Sequence, residues 1–358
     1  MSDLVGALLL RERPVSVTPW RDLWDRLHAR EVTAAEAAAV LASLSTRLPD
    51  ADTLAAFLAS LWERRGGETL RETPARAVNI VGTGGGPSTF NISTAAAFVA
   101  AALGVRVVKT GSRAYSSRCG SIDLLNRLGV PLTTSPAMTA EMVDRFGIAF
   151  AGPYVYPREL TLLAKAVLPL DMKRLGRALN LLGPFLADAP VAVQLTGLSD
   201  PALLPTFRAL AAGFPERRFW FCVNSLGADE LLGIAPNTVT RDGADGTAGT
   251  DTIELSPGAL GLAGGTLEDL RPAADGTGIV PHALAVLAGD APAAAIDTVC
   301  LNAAALALAG GVTGDWEDGL RLARAAVVRG DARRLVEAIR KNAHGPGEAT
   351  PLRRTVHG

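Results

Sequence analysis

The stretch Val78-Asn-Ile-Val-Gly-Thr-Gly-Gly-Gly-Pro-Ser-Thr-Phe-Asn-Ile-Ser-Thr94, followed by Lys109-Thr-Gly-Ser-Arg113, decides the reading of this chain. A β-branched run ends in four glycines within five positions (Gly82, Gly84, Gly85, Gly86), and a helical pattern opens just beyond. Strand, glycine loop and helix in that order wrap backbone amides around a phosphorylated ligand. Glycine admits positive φ and lets amides approach an anion without a Cβ in the way. Ser93 or Thr94 is placed to cap a helix starting at Ala95, whose free N–H groups and dipole favour negative charge. A tight turn with no ligand remains the alternative for the glycine cluster taken alone. Spacing excludes two familiar phosphate motifs. Counted from Gly82, a dinucleotide fingerprint would need glycine where Pro87 stands, and a P-loop needs glycine directly before Lys109-Thr110, where the chain has Val108.

Working outward, the period changes at residue 78. Before it, the chain to about residue 72 reads as helices: an amphipathic Trp20–Arg30, an alanine-rich helix opened by the capping box Thr33-Ala-Ala-Glu36, and a third capped by Asp50 or Asp52. Beyond it, strands are predicted at Val78–Val81, Val105–Lys109, Ile148–Ala151, Val191–Thr196, Phe219–Asn224, Thr238–Arg241 and Thr252–Leu255. Helices alternate with them at about 94–103, 121–128 and Pro201–Ala212, and the last third is helical again. Alternation of this kind implies an α/β fold with a mostly parallel central sheet. Ligands on such sheets lie at the carboxyl ends of strands, where Gly82–Ser88 and Thr110–Ser117 emerge on the same side. Arg241–Asp251 reads as a mobile loop or turn, and residues 346–358 as a flexible tail.

The 358 residues are nearly half apolar and one fifth charged, with a formal net charge of -1, which argues against a generic nucleic-acid binder. Three widely separated cysteines (Cys119, Cys222, Cys300) speak against a disulfide framework and fit a reducing, cytoplasmic setting. No apolar run of membrane-spanning length is present, and the start Met1-Ser2-Asp3 is not a secretory n-region, so no membrane association is expected. The four histidines, His28, His282, His344 and His357, lie away in sequence from the glycine loops, so a histidine-based triad has no support.

Two further segments carry candidate chemistry. Lys109 to Ser117 sets two cations, Lys109 and Arg113, among hydroxyls at a strand end, a point charge and a planar fork suited to phosphate oxygens. Asn224-Ser-Leu-Gly-Ala-Asp-Glu230 follows another strand, and adjacent carboxylates there suit a magnesium ion shared with a polyphosphate. A solvated loop and a solvated turn are the respective alternatives.

Taken together, Gly82-Thr-Gly-Gly85, Phe90-Asn-Ile-Ser-Thr94, Lys109-x-Gly-x-Arg113, Ser116-Ser-x-x-Gly-Ser-x-Asp123, Asn180-Leu-Leu-Gly-Pro184, Gly227-Ala-Asp-Glu230, Gly264-Gly265 and Leu301-Asn-Ala-Ala304 resemble, in order, the motifs of anthranilate phosphoribosyltransferases over residues 20 to 340. The resemblance implies a small helical domain (1–75, joined by mid-chain helices near 158–190) and a larger α/β domain (76–345) of the nucleoside phosphorylase/phosphoribosyltransferase class-III type. It also implies phosphoribosyl pyrophosphate (PRPP) and Mg2+, and a homodimer. By the same resemblance Gly82, Thr83, Gly84 and Gly85 cradle pyrophosphate, while Asn91, Ser93 and Thr94 contact the ribose phosphate and metal. Lys109, Ser117 and Ser121 are implied as phosphate contacts, Asp229 and Glu230 with Ser93 as the magnesium site, and Lys109 and Arg113 as stabilisers of the transition state.

The departures fall mostly on the acceptor side. The family's Gly-Thr-Gly-Gly-Asp ends here in Gly86, and its Lys-His-Gly-Asn-Arg carries Thr110 and Ser112 beside Gly111. Its His-Pro becomes Tyr156-Pro157, and the arginine expected four residues before Asn180 aligns with Gly176, flanked by Arg174 and Arg177. Thr110, Gly111, Ser112, Tyr156, Arg177 and Gly183 are therefore the acceptor-side candidates. The expected activity is phosphoribosyl transfer from PRPP to an aromatic or heteroaromatic acceptor other than anthranilate, in specialised metabolism. A genuine anthranilate enzyme of tryptophan biosynthesis and a non-catalytic ligand- or nucleic-acid-binding relative are the alternatives.

Overall fold

The computed structural model describes residues 3–65, 76–111, 120–170, 172–242, 250–271 and 278–343. Seven strands form one sheet: β1 (Val78–Gly82), β2 (Val107–Lys109), β3 (Ile148–Phe150), β4 (Val193–Gly197), β5 (Arg218–Asn224), β6 (Asn237–Asp242) and β7 (Thr250–Leu255), in the order β3-β2-β1-β4-β5-β6-β7. The first five in that order are parallel, and β6 and β7 add to β5 as an antiparallel extension. From β1 the chain winds outward to β2 and β3, then returns to lay β4 and β5 on the other flank. The order therefore reverses between β1 and β4, and a sheet of this kind opens its ligand crevice at the carboxyl ends of the strands at that reversal. Gly82 and Gly197 end these two strands and are register partners.

All of the predicted strands are present, each within two residues of its expected ends. The sheet is mostly parallel as expected, and β1 to β4 are largely buried on both faces, with the polar Asn79, Lys109, Gln194 and Thr196 buried among their apolar residues. Arg241–Asp251 is corrected in part: Arg241, Asp242, Thr250 and Asp251 belong to the β6–β7 pair, and 243–249 lie outside the described residues. The tail 346–358 also lies outside them.

Apolar burial divides into two clusters. One joins the sheet to the C-terminal helices, and in it the alanine-rich helices Ile92–Ala102 and Ala293–Ala309 approach closely because their facing side chains are mostly methyl groups. The other gathers the helices Val17–His28, Ala34–Thr46 and Ala51–Trp62 with Leu163, Val167, Leu182 and Phe185 from mid-chain helices. The helix N-termini follow their local signals, with Thr33 accepting from the Glu36 N–H and Asp50 from the Thr53 N–H. Strand β5 couples the clusters: Phe219 and Phe221 face the helical one, and Trp220 and Cys222 the other, as the two-residue period of a strand requires. The structure also contains helices Asp3–Leu10 and Pro136–Phe146, which the sequence reading did not include.

Candidate functional site

Three loops converge beyond β1 and β4. Gly84, Gly85 and Gly86 run in succession at φ +74°, +91° and +70°, a left-handed path closed to most side chains. The Thr83 N–H donates to the Gly197 carbonyl at 3.0 Å, and Ser199, just past β4, donates its hydroxyl to the Gly84 carbonyl at 2.8 Å. The Asn180 amide reaches the Thr83 carbonyl at 3.4 Å, bringing the Asn180–Pro184 segment onto the same loop. Gly183 within that segment has open space where a Cβ would project.

The loop after β5 delivers the two carboxylates. Asn224 fixes its shape, with its side-chain carbonyl taking the Leu226 and Ala228 N–H groups at 3.1 Å and its amide donating to the Ala228 and Glu230 carbonyls at 2.7 Å. Asp229 accepts the Gly84 N–H at 2.7 Å, and Glu230 accepts the Thr89 hydroxyl at 3.0 Å and the Ser93 N–H. Loss of solvation raises the pKa of both, that of Glu230 to about 8, with the Asp229 charge adding to the rise. Among the described residues no third His, Cys, Asp or Glu joins the pair. Magnesium is commonly held by one or two carboxylates, with water and substrate phosphate completing its shell, so this donor set fits it.

Several sequence expectations are corrected. The helix after the glycine loop begins at Ile92, not Ala95, so Ser93 and Thr94 lie in its first turn and neither caps it. The Thr94 hydroxyl is buried without a hydrogen-bond partner. For Lys109 the alternative of a solvated loop does not hold. It is 3% exposed, and its ammonium donates to the Ile80 carbonyl at 2.9 Å. Burial lowers its pKa to about 8, against the opposing pull of Glu230 and Asp229.

Thr110 is 1% exposed. Its N–H donates to the Asn79 side chain at 3.1 Å, and its hydroxyl accepts from the Asn79 amide at 2.9 Å. Asn79 also donates to Gln194 at 3.1 Å, and Gln194 donates to the Pro184 carbonyl at 2.9 Å. This buried chain ties the end of β2 through β1 and β4 to the Asn180–Pro184 segment.

The remaining candidates divide. Tyr156 donates its hydroxyl to the Gly111 carbonyl at 3.1 Å, and Gly111 lies so close to the Ser121 hydroxyl that it has no room for a Cβ. Arg177 is exposed, as is Arg174, while Gly176 is buried. Ser112, Arg113, Ser116 and Ser117 lie outside the described residues. Sequence reasoning missed Ser199, Thr89, Asn79 and Gln194. Only Ser199 carried a usable signal, two residues beyond a strand end at the sheet's reversal. It also left out His282, which the fold brings against Phe90 with ring centroids 4.9 Å apart and an unpartnered, buried Nε2; burial lowers its pKa.

Residues 74–333 match the model of the glycosyl transferase family, a/b domain. The chain is 35% identical over 271 residues to the anthranilate phosphoribosyltransferase of Methylobacterium sp. (strain 4-46), covering 75% of each chain. It is 32% identical over 322 residues to that of Desulfatibacillum aliphaticivorans, covering 89% of this chain and 92% of the relative. The crystal structure of anthranilate phosphoribosyltransferase from Thermus thermophilus is similar with a TM-score of 0.75 and 30% identity, over 96% of this chain and 100% of that one. The Saccharomyces cerevisiae enzyme in complex with PRPP and Mg shares the fold at a TM-score of 0.75 and 22% identity, over 95% of this chain and 96% of that one. By matched family, relatives and fold, this chain belongs to the anthranilate phosphoribosyltransferase family and is a phosphoribosyltransferase.

Proposed function

We propose that the protein transfers the phosphoribosyl group of PRPP, with magnesium, to an aromatic or heteroaromatic acceptor other than anthranilate, releasing pyrophosphate. A lone pair on the acceptor attacks the anomeric carbon as the bond from that carbon to the pyrophosphate oxygen breaks, and the pyrophosphate leaves with the electron pair. Catalysis of this kind rests on orientation and on stabilising the leaving group, so it needs no covalent nucleophile or histidine.

In this reading the amides of Gly82, Thr83, Gly84 and Gly85 hold the pyrophosphate, and Ser93, Asp229 and Glu230 hold the metal. Bound magnesium supplies charge stabilisation at the leaving oxygens. Asn91, Ser93 and Thr94 receive the ribose phosphate with Ser117 and Ser121, and Arg113 faces the transition state. Lys109 acts by balancing the buried carboxylates. Tyr156, Gly111, Ser112 and Gly183 border the acceptor, with Asn180 linking that border to the donor loop. The division into a helical unit (1–75 with mid-chain helices near 158–190) and an α/β unit (76–345), a homodimer, a cytoplasmic setting and a place in specialised metabolism belong to the same proposal.

The observation that carries it is the acceptor side: buried Gly176 stands where the family's arginine is expected, and Arg177 is exposed. A carboxylate taken from water needs a charged, preferably bidentate, partner. The identity to anthranilate enzymes favours the second reading, anthranilate itself as acceptor. A screen of aromatic acids, aromatic amines and phenols for pyrophosphate release, with PRPP and magnesium present, separates the two. Turnover confined to anthranilate would overturn the first.

A further inference from the structure

The Gly84 N–H belongs to the cradle assigned to the pyrophosphate, yet it already has an anion: Asp229 Oδ2 at 2.7 Å. The fit is built into the strand ends. A Cβ on Gly82 would overlap Asp229 Oδ2, and one on Gly197 would overlap the Asp229 carbonyl, so both glycines make room for this residue. Its neighbour is held differently, since Glu230 takes the Thr89 hydroxyl and the Ser93 N–H, both beyond the glycine run.

We propose that Asp229 is a stand-in for the pyrophosphate, occupying a donor that the substrate needs, and that magnesium opens the cradle by giving Asp229 another partner. The proposal rests on the reading that the glycine loop holds pyrophosphate and the Asp229–Glu230 pair holds the metal. One N–H pointing along one direction serves one strong acceptor, and two anions a few ångströms apart repel. Without metal, the substrate must displace the carboxylate and then tolerate it. Metal thus has a role before chemistry, in making the loop available.

Competition gives a sign that a plain metal-ligand role does not. Removing the Asp229 side chain should abolish metal-dependent binding while improving metal-free binding. The test is calorimetry of inorganic pyrophosphate binding to the full chain, in chelator and in saturating magnesium. In chelator, Asp229→Ala is expected to bind pyrophosphate at least tenfold more tightly than wild type, and Glu230→Gln, which alters the neighbouring acid without freeing Gly84, less than threefold. Equal gains in the two variants, or no gain in Asp229→Ala, overturn the competition. Absence of pyrophosphate binding to wild type at saturating magnesium overturns the donor-site reading and the proposal with it. Should Asp229→Ala fail to fold, glycine-labelled wild type provides the measurement: magnesium alone, without phosphate, should shift the Gly84 amide resonance, and an unmoved resonance overturns the proposal.

Discussion

Gly86 packs directly against Gly227: a Cβ on it would overlap the Gly227 carbonyl oxygen, and its φ of +70° already excludes most side chains. The glycine that replaces the family's acid is thus the residue that lets the donor loop close on the carboxylate loop. Restoring the acid should harm this protein. A left-handed non-glycine residue costs about 1–2 kcal/mol before any overlap is counted. Gly86→Asp is expected to raise the Michaelis constant for PRPP at least tenfold, with Gly86→Ala intermediate. An unchanged constant in steady-state kinetics would show that the loop opens freely.

The chain from Thr110 through Asn79 and Gln194 to Pro184 is wholly buried and fully paired. Asn79→Leu strands the Thr110 N–H, removes the donor to the Thr110 hydroxyl, and leaves Gln194 Oε1 only the long 3.5 Å contact from Arg217. Each unpaired buried group costs about 1–3 kcal/mol, so a loss of roughly 2–4 kcal/mol is expected in denaturant unfolding. A loss below 1 kcal/mol would mean that water or rearrangement satisfies both ends.

Phe185 lies beside Gly183-Pro184 and contacts Phe207, Phe214 and Phe219, with centroids 5.1, 5.7 and 5.2 Å away. Through Phe219 it anchors the segment proposed to border the acceptor to β5. Phe185→Ala should cost about 3–5 kcal/mol, the usual range for a fully buried phenylalanine. Acceptor KM should rise more than donor KM, and equal changes in the two would separate this anchor from the acceptor side.

The helical cluster holds a pH-sensitive contact. Glu159 accepts from His28 at 3.0 Å and Arg64 at 3.2 Å. Burial alone would raise its carboxyl pKa, but hydrogen bonds from His28, its own backbone and Arg64 outweigh that and leave it below the ordinary value of 4.5. A carboxyl depressed on folding contributes stability above its unfolded pKa, and that contribution is lost as pH falls through the folded value. Wild type should therefore be more stable than Glu159→Gln at pH 6, with the gap closing below about pH 4. Melting temperatures across that range check this, and a constant gap would contradict it.

What the sequence disclosed follows from how local each signal is. β1 and its loop were legible because Val78, Ile80 and Val81 lead straight into glycines, and Thr33 and Asp50 announce their helices within one turn. Ser135-Pro136 carried a comparable start signal for Pro136–Phe146, with Ser135 accepting the Met138 N–H, and went unread. Ser93 and Thr94 misled because cap-type residues also occupy a first turn, and the turn begins at Ile92. The burial of Lys109 was out of reach, since the carboxylates that face it come from residues 229 and 230. The same distance hid the Gly84–Asp229 contact, which exists because β4 pairs with both β1 and β5 and so brings the loop after β5 to the end of β1.

The central claim is that the acceptor is not anthranilate, and steady-state kinetics with anthranilate at saturating PRPP and magnesium tests it most directly. Loss of one charged contact to the carboxylate corresponds to about 2 kcal/mol, or roughly thirtyfold, before any misfit of shape. The account predicts a kcat/KM for anthranilate well below about 10⁴ M⁻¹s⁻¹, the lower end for ordinary enzymes. A value at or above that level would contradict it and establish anthranilate as the acceptor.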